Sequence, residues 1–364
     1  MIINKIKLKN YRNYDDIELE LGHRLNIIIG DNAQGKTNLL ESIYVLSITK
    51  SYMNITDKNL IKFDKDFSIL EADVVSNLVH KNLKVVISQK GKNVLINHKE
   101  IKKLSSYISN LKVIIFSPDN IRMIKDGPGV RRKFLNIEIS QLSDRYMKIL
   151  MDYNNIISQK NEYLKGDSKK NLRYLSILND KICDLSIYLS KMRNTFLNNV
   201  NKYIEKIFYE ITGIEGLCIK YLSNVELDTD NIKSNFRQKL DKYLAKEINY
   251  KVSLVGPHRD DFIFILNGKN LSLYGSQGQL RCAVLSLKLA EVKIFSELNN
   301  DYPILLLDDI FSELDIIKKN NLIKYINDDV QTIITTTDIN LIDDNLVKKA
   351  NIFKISDAKL FPGK

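Results

Sequence analysis

The densest chemistry in the sequence lies in Gly30-Asp31-Asn32-Ala33-Gln34-Gly35-Lys36-Thr37. Four residues separate Gly30 from Gly35-Lys36-Thr37, the spacing of a loop whose successive backbone N–H groups wrap a phosphate chain. The two glycines supply backbone angles and close approach that side chains would block. Lys36 is placed to reach β- and γ-phosphates, and the Thr37 hydroxyl to hold Mg²⁺. The flanks agree. Leu25-Asn26-Ile27-Ile28-Ile29 reads as a buried strand and Asn38 to Tyr44 as a helix, so the loop falls at a strand-to-helix turn. A chance Gly-Lys-Thr would not combine all of this, and the sequence implies binding of a nucleoside triphosphate.

A second group of residues could complete a hydrolytic site. Ile304-Leu305-Leu306-Leu307-Asp308-Asp309 reads as a buried parallel strand ending on two carboxylates. Asp308 is placed to hold Mg²⁺ directly or through water. Asp309 could orient or deprotonate an attacking water; the bland alternative is that the pair satisfies a helix N-terminus. Ser276-Gln277-Gly278-Gln279 opens a helix 32 residues before Asp308, and its hydroxyl, glycine amide and helix end make an anion site. This tetrapeptide resembles the signature motif of ABC-type ATPases. That resemblance implies that Ser276, Gly278 and Gln279 meet the γ-phosphate held by a second copy, with two ATP molecules enclosed by a homodimer. Ser312-Glu313-Leu314-Asp315 resembles the loop that crosses the dimer interface in the same superfamily. Arg12, just before the phosphate loop, either neutralises phosphate or stacks on a base, or is an exposed turn residue.

The elements that must position these residues are legible in outline. Ile2 to Leu8 and Asp16 to Leu21 alternate as paired strands, and antiparallel strands follow from Phe67 to Phe116. From about residue 121 to Tyr250 the period is mostly helical, with stops near Gly166-Asp167-Ser168 and Gly213 to Gly216. Sheet character is expected again at Lys251 to Val255. A hairpin is expected from Phe262–Leu266 to Leu271–Leu273, turning at Asn267-Gly268-Lys269-Asn270, then a long amphipathic helix from Leu280. Thr332 to Thr335 reads as another buried strand. The resulting division is an N-terminal part of an ATPase head (1–120), a helical inserted lobe (121–250) and a C-terminal part of the head (251–364).

At 364 residues, 44% hydrophobic and 27% charged, the chain has an ordinary globular composition. No apolar run approaches bilayer length, and the N-terminus lacks a signal peptide's apolar core. Cys183, Cys218 and Cys282 are scattered and fit a reducing cytoplasm, and the four histidines form no metal pattern. The net charge of +11 suits a polyanionic partner, most simply nucleic acid. A general Lys, Ile and Asn bias accounts for part of it.

Together these motifs resemble the RecF family of bacterial recombination-repair ATPases over nearly the whole chain. The phosphate loop Gly30 to Asn38 matches that family, as do Pro118-Asp119 through Gly127-Pro128 and Arg131-Arg132-Lys133-Phe134-Leu135. Gly256-Pro257-His258-Arg259-Asp260-Asp261, Ser276 to Gln279 and Leu307 to Asp315 complete the match. The resemblance implies an α/β fold: an ABC-ATPase head like those of SMC and Rad50, with a mixed β-sheet and a mostly helical inserted lobe. It also implies a weak ATPase using ATP and Mg²⁺, dimerisation around ATP, and DNA binding at gaps or junctions. RecR and RecO are the implied partners, with RecA as the recombinase to be loaded. Rival readings are another soluble ABC-type ATPase, either a structural clamp or a transporter-associated subunit. A clamp needs a long heptad insertion that this chain lacks. Three departures stand out. Asp309 occupies a position usually held by Glu; threonines at 335–337 replace the switch histidine; no clear glutamine loop is present, Ser117-Pro118-Asp119 being the best place for one.

Overall fold

The structure, a computed structural model, describes residues 1–53, 55–166, 170–227, 230–325 and 329–363. Asp167 and Ser168, expected to end a helix, lie outside the described residues. The strands are β1 (Ile2–Tyr11), β2 (Tyr14–Glu20), β3 (Leu25–Ile29), β4 (Phe67–Ser76), β5 (Val79–Ser88), β6 (Gly91–Ile96), β7 (Lys99–Glu100), β8 (Val113–Phe116), β9 (Leu217–Leu222), β10 (Asp261–Leu266), β11 (Lys269–Asn270), β12 (Ile304–Asp308), β13 (Thr332–Thr336), β14 (Asn351–Ser356) and β15 (Lys359–Pro362).

The chain divides into two compact units. The first comprises Met1–Ile121, Lys206–Ile214 and Arg281–Lys364. It contains an antiparallel sheet in the order β2-β1-β4-β5-β6-β7 and a mixed sheet in the order β15-β14-β3-β13-β12-β8. In the mixed sheet β14, β3, β13, β12 and β8 run parallel and β15 antiparallel. Its central strands are buried along almost their whole length, which is why they read as unbroken Ile and Leu runs. Parallel strands of this kind place their carboxyl ends along one edge, where α/β sheets bind ligands. The ends of β3 and β12 carry the phosphate loop and the two aspartates.

The second unit comprises Arg122–Glu205 and Glu215–Leu280. Its long helices are Pro128–Leu142, Asp144–Lys165, Leu172–Asn201 and Ile232–Tyr250. It is not wholly helical. β9 lies within the stretch expected to be helix and pairs with β10 and β11 in a small sheet. The alternating burial of Leu217 and Ile219 was the missed signal.

Two local expectations are corrected. Residues 251–255 form no strand, because side chains take their backbone donors. Asn161 Oδ1 accepts from Ser253 N at 2.7 Å and Glu247 Oε1 from Leu254 N at 2.8 Å. The hairpin turns at Asn267-Gly268, both at positive φ. Leu271–Tyr274 is a helical turn started by the Asn270 side chain, which accepts from Ser272 N at 3.0 Å.

Candidate nucleotide-binding site

The turn from β3 into the helix Lys36–Ile48 shows why its glycines are required. Gly35 sits at φ +113°, and a Cβ there would lie 2.7 Å from Asn13 Nδ2 and 2.9 Å from Tyr14 Oη. A Cβ on Gly30 would lie 2.5 Å from the Ile355 carbonyl oxygen, which is backbone and cannot yield. Lys36 folds back onto its own loop, donating to the Gly30 and Asp31 carbonyls at 2.5 and 2.9 Å. Burial lowers its pKa, and Asp309, Asp308 and Asp31 oppose that by attraction.

β12 delivers Asp308 against this turn. Thr37 Oγ1 donates to Asp308 Oδ1 at 3.1 Å, joining residues 271 apart in sequence. Thr335, on the adjacent β13, donates to the same oxygen at 2.7 Å and accepts from Asp309 N at 3.0 Å. Tyr52 donates to Asp308 Oδ2 at 3.3 Å and packs edge-on to Tyr44. Burial raises the Asp308 pKa, the three hydroxyl donors lower it, and neighbouring Asp309 raises it again.

Asp309 adopts the left-handed conformation (φ 48°) at the start of the helical turn Ile310–Glu313, and its side chain makes no capping hydrogen bond there. Its buried Oδ1 has no hydrogen-bond partner among the described residues. Asn32, Ala33, Gly35, Lys36, Thr37, Asn38, Asp308 and Asp309 line a cavity of about 140 Å³. A hydroxyl, a buried carboxylate and an unpartnered carboxylate oxygen form an oxygen donor set suited to a small hard cation. Thr37, Asp308 and Asp309 therefore fit Mg²⁺ and would be the residues to hold it.

The structure brings together Gly30 through Thr37, Asp308 and Asp309. Arg12 stands beside this cavity rather than in its lining. Its guanidinium grips buried Glu41 in a bidentate pair at 2.8 and 3.0 Å, and also donates to the Asn59 carbonyl at 3.1 Å. Arg12 lines an open groove with Asn13, Asn38, Lys58, Lys62 and Phe63, and Asn38 lines both the groove and the phosphate cavity. Ser276, Gly278 and Gln279 belong to the second unit. There Ser276 Oγ accepts from Gln279 N at 3.2 Å and Gln279 Oε1 from Ser276 N at 2.9 Å, a reciprocal cap at the start of the helix Gln277–Asn299. Ser276 and Gly278 are exposed, as are the preceding Leu273 and Tyr274.

Sequence reasoning missed Tyr52 and Glu41, and placed Thr335 at the switch position without its bond to Asp308. Thr335 had a signal, since it ends a buried strand neighbouring β12. Tyr52 had none, because a loop outside any motif carries it. Two basic residues of the run 131–133 prove structural. Arg131 pairs bidentately with Asp261 at 2.6 and 2.9 Å, and Arg132 donates to the Asp260 carbonyl at 3.0 Å.

The family described as RecF/RecN/SMC N terminal domain matches residues 2–358. A DNA replication and repair protein RecF from Listeria welshimeri is 41% identical over 362 residues, covering 98% of each chain. The solved structure of "the recombination mediator protein RecF-ATP in RecFOR pathway" superposes with a TM-score of 0.92 at 32% identity, covering 100% of this chain and 98% of that one. An SMC head bound to the winged-helix domain of ScpA shares the fold alone, with a TM-score of 0.56 at 13% identity. With the phosphate loop and the β12 carboxylates assembled as that fold requires, the chain belongs to the RecF family of DNA replication and repair proteins.

Proposed function

We propose that this protein is a weak ATPase of recombinational repair that dimerises around two ATP molecules and binds gapped or junction DNA. RecR and RecO are the proposed partners in loading RecA, in the cytoplasm. Among the described residues no helix is long and apolar enough to cross a membrane. The observation that carries the reading is the Thr37–Asp308 contact at 3.1 Å. It puts the two side chains able to share Mg²⁺ at the mouth of a loop built for phosphates.

In this reading the loop amides and Lys36 hold the β- and γ-phosphates once Lys36 leaves its loop carbonyls. The groove beyond Asn38 takes ribose and base, with exposed Phe63 offering a ring face. Thr37 and Asp308 hold Mg²⁺, which when bound neutralises charge developing on the γ-phosphate. Asp309 Oδ1 accepts the hydrogen bond of the attacking water. Its side chain is one methylene shorter than glutamate, which widens the gap to that water and makes turnover slow. Ser276 and the amides after it contact the nucleotide of the other copy, which explains why that helix start is left exposed.

Light scattering with and without ATP tests this. Ser276→Arg should bind nucleotide as a monomer and fail to dimerise. Asp309→Asn should form ATP dimers that persist, because the triphosphate is not cleaved. A Ser276→Arg variant that dimerises as well as the parent would remove the composite site.

A further inference from the structure

The positive charge is unevenly distributed. The second unit, Arg122–Glu205 with Glu215–Leu280, holds 25 Lys and Arg against 17 Asp and Glu, so +8 of the net +11 resides there. Several of those 25 basic residues are paired locally. Arg131 pairs with Asp261, and Lys160 with Glu247 at 2.6 Å in full burial. On the helix Ile232–Tyr250, Lys233 pairs with Asp184 and Arg237 with Asp180 and Asp241.

The rest of this helix is not compensated. From residue 238 to 251 its acidic residues are Asp241, engaged by Arg237, and buried Glu247, engaged by Lys160. Lys239, Lys242 and Lys246 have no carboxylate within ion-pair distance among the described residues. Phe236, Leu240 and Glu247 anchor the adjoining face in the core. Lys239, Lys242, Tyr243, Lys246 and Tyr250 follow the i, i+3, i+4, i+7, i+11 spacing of one helix face. Lys246 Nζ lies 5.5 Å from the Tyr243 ring centroid, and Tyr250 is 65% exposed. Seven residues of helix separate Lys239 from Lys246, about 10.5 Å at ~1.5 Å per residue.

We propose that this face of the Ile232–Tyr250 helix is the docking surface for the phosphate backbone of double-stranded DNA. The proposal rests on the DNA-binding reading above and adds where the phosphates sit. Ammonium groups carry the charge contacts. The two tyrosines offer rings and hydroxyls to sugar and phosphate, and nothing on the face reads bases, so binding is indifferent to sequence.

The test compares the full-length protein with the triple variant Lys239→Gln, Lys242→Gln, Lys246→Gln. A control triple, Lys99→Gln, Lys102→Gln, Lys103→Gln, removes the same charge from exposed positions of the first unit. A fluorescein-labelled random duplex is titrated by anisotropy in ATP between 50 and 200 mM salt. Circular dichroism and ATP affinity confirm that the variants are folded. Three phosphate contacts contribute a slope of about 2.7 in log affinity against log salt. The helix variant should therefore lose about 40-fold less affinity across that salt range than the parent, and the control should follow the parent. A helix variant with the parent's slope, or a control that flattens equally, overturns the surface. A parent that binds no duplex at any salt overturns the DNA-binding reading itself.

Discussion

Replacing Thr335 with valine removes two hydrogen bonds at nearly constant volume. Thr335 is fully buried on β13, donating to Asp308 Oδ1 at 2.7 Å and accepting from Asp309 N at 3.0 Å. A bond to a charged group is worth about 1.5–3 kcal/mol and one between neutral groups about 0.5–1.5. The methyl that replaces the hydroxyl returns less than about 1 kcal/mol through burial. A net loss of about 1–4 kcal/mol in unfolding free energy is expected, read from urea denaturation. The functional effect is separate. Without this donor the Asp308 carboxyl, already raised by burial, rises further and loses its fixed orientation. Groups that orient a metal ligand typically contribute about 10–100-fold in metal affinity. Calorimetric titration of ATP should therefore show Mg²⁺-dependent affinity falling about tenfold, with affinity in EDTA unchanged. Thr335→Ser should restore both. The reasoning fails if the valine variant keeps its Mg²⁺ dependence, whatever its stability.

Tyr52→Phe should raise the Mg²⁺ concentration needed for half-maximal ATP binding about tenfold, because Asp308 Oδ2 loses its donor at 3.3 Å; an unchanged Mg²⁺ titration would show that the contact is incidental. His258 sets a pH dependence. Its Nε2 donates to the Ser253 carbonyl at 3.1 Å, leaving Nδ1 to accept from Tyr153, and burial lowers its pKa from 6.5 to about 4. From about one pH unit above 6.5 upward the imidazole is neutral folded or unfolded, and its contribution does not vary. As pH falls from 6.5 to 4 the unfolded chain protonates first, so stability declines by up to about 3 kcal/mol. Urea midpoints measured across that range should fall more steeply for the parent than for His258→Gln, and parallel curves would contradict the assignment.

The site was legible where chemistry demands a fixed local spacing. Gly30, Gly35, Lys36 and Thr37 act through one turn, so their order in the chain is their geometry. Asp308 was legible because a buried run ending on a carboxylate has few structural uses. Thr335 and Tyr52 reach Asp308 through strand adjacency and loop packing, and neither relation leaves a periodic trace. Arg12 shows the converse. Its position beside the loop suggested a phosphate or base contact or an exposed turn, and the structure adds that buried Glu41 pairs with Arg12, with no other cation in an ion pair with it among the described residues.

Gly256-Pro257-His258-Arg259-Asp260-Asp261 is a charged motif whose contacts show structure. Gly256 takes φ +134°, and a Cβ there would lie 2.3 Å from Tyr153 Oη. Asp260 is 1% exposed and accepts from Ser190 at 3.1 Å, Tyr221 at 2.7 Å and the Asn224 amide at 3.0 Å. Arg193 donates to the Pro257 carbonyl at 2.6 Å, and Arg131 grips Asp261. These bonds tie the helices Pro128–Leu142, Asp144–Lys165 and Leu172–Asn201 to β9 and β10. A buried polar network is stable only when nearly every donor and acceptor is matched, so it uses the same residue types as a catalytic centre. What separates them is satisfaction. Both oxygens of Asp260 accept hydrogen bonds, from three donors in all, whereas buried Asp309 Oδ1 accepts none among the described residues, and that unmatched oxygen is the one placed to meet a ligand.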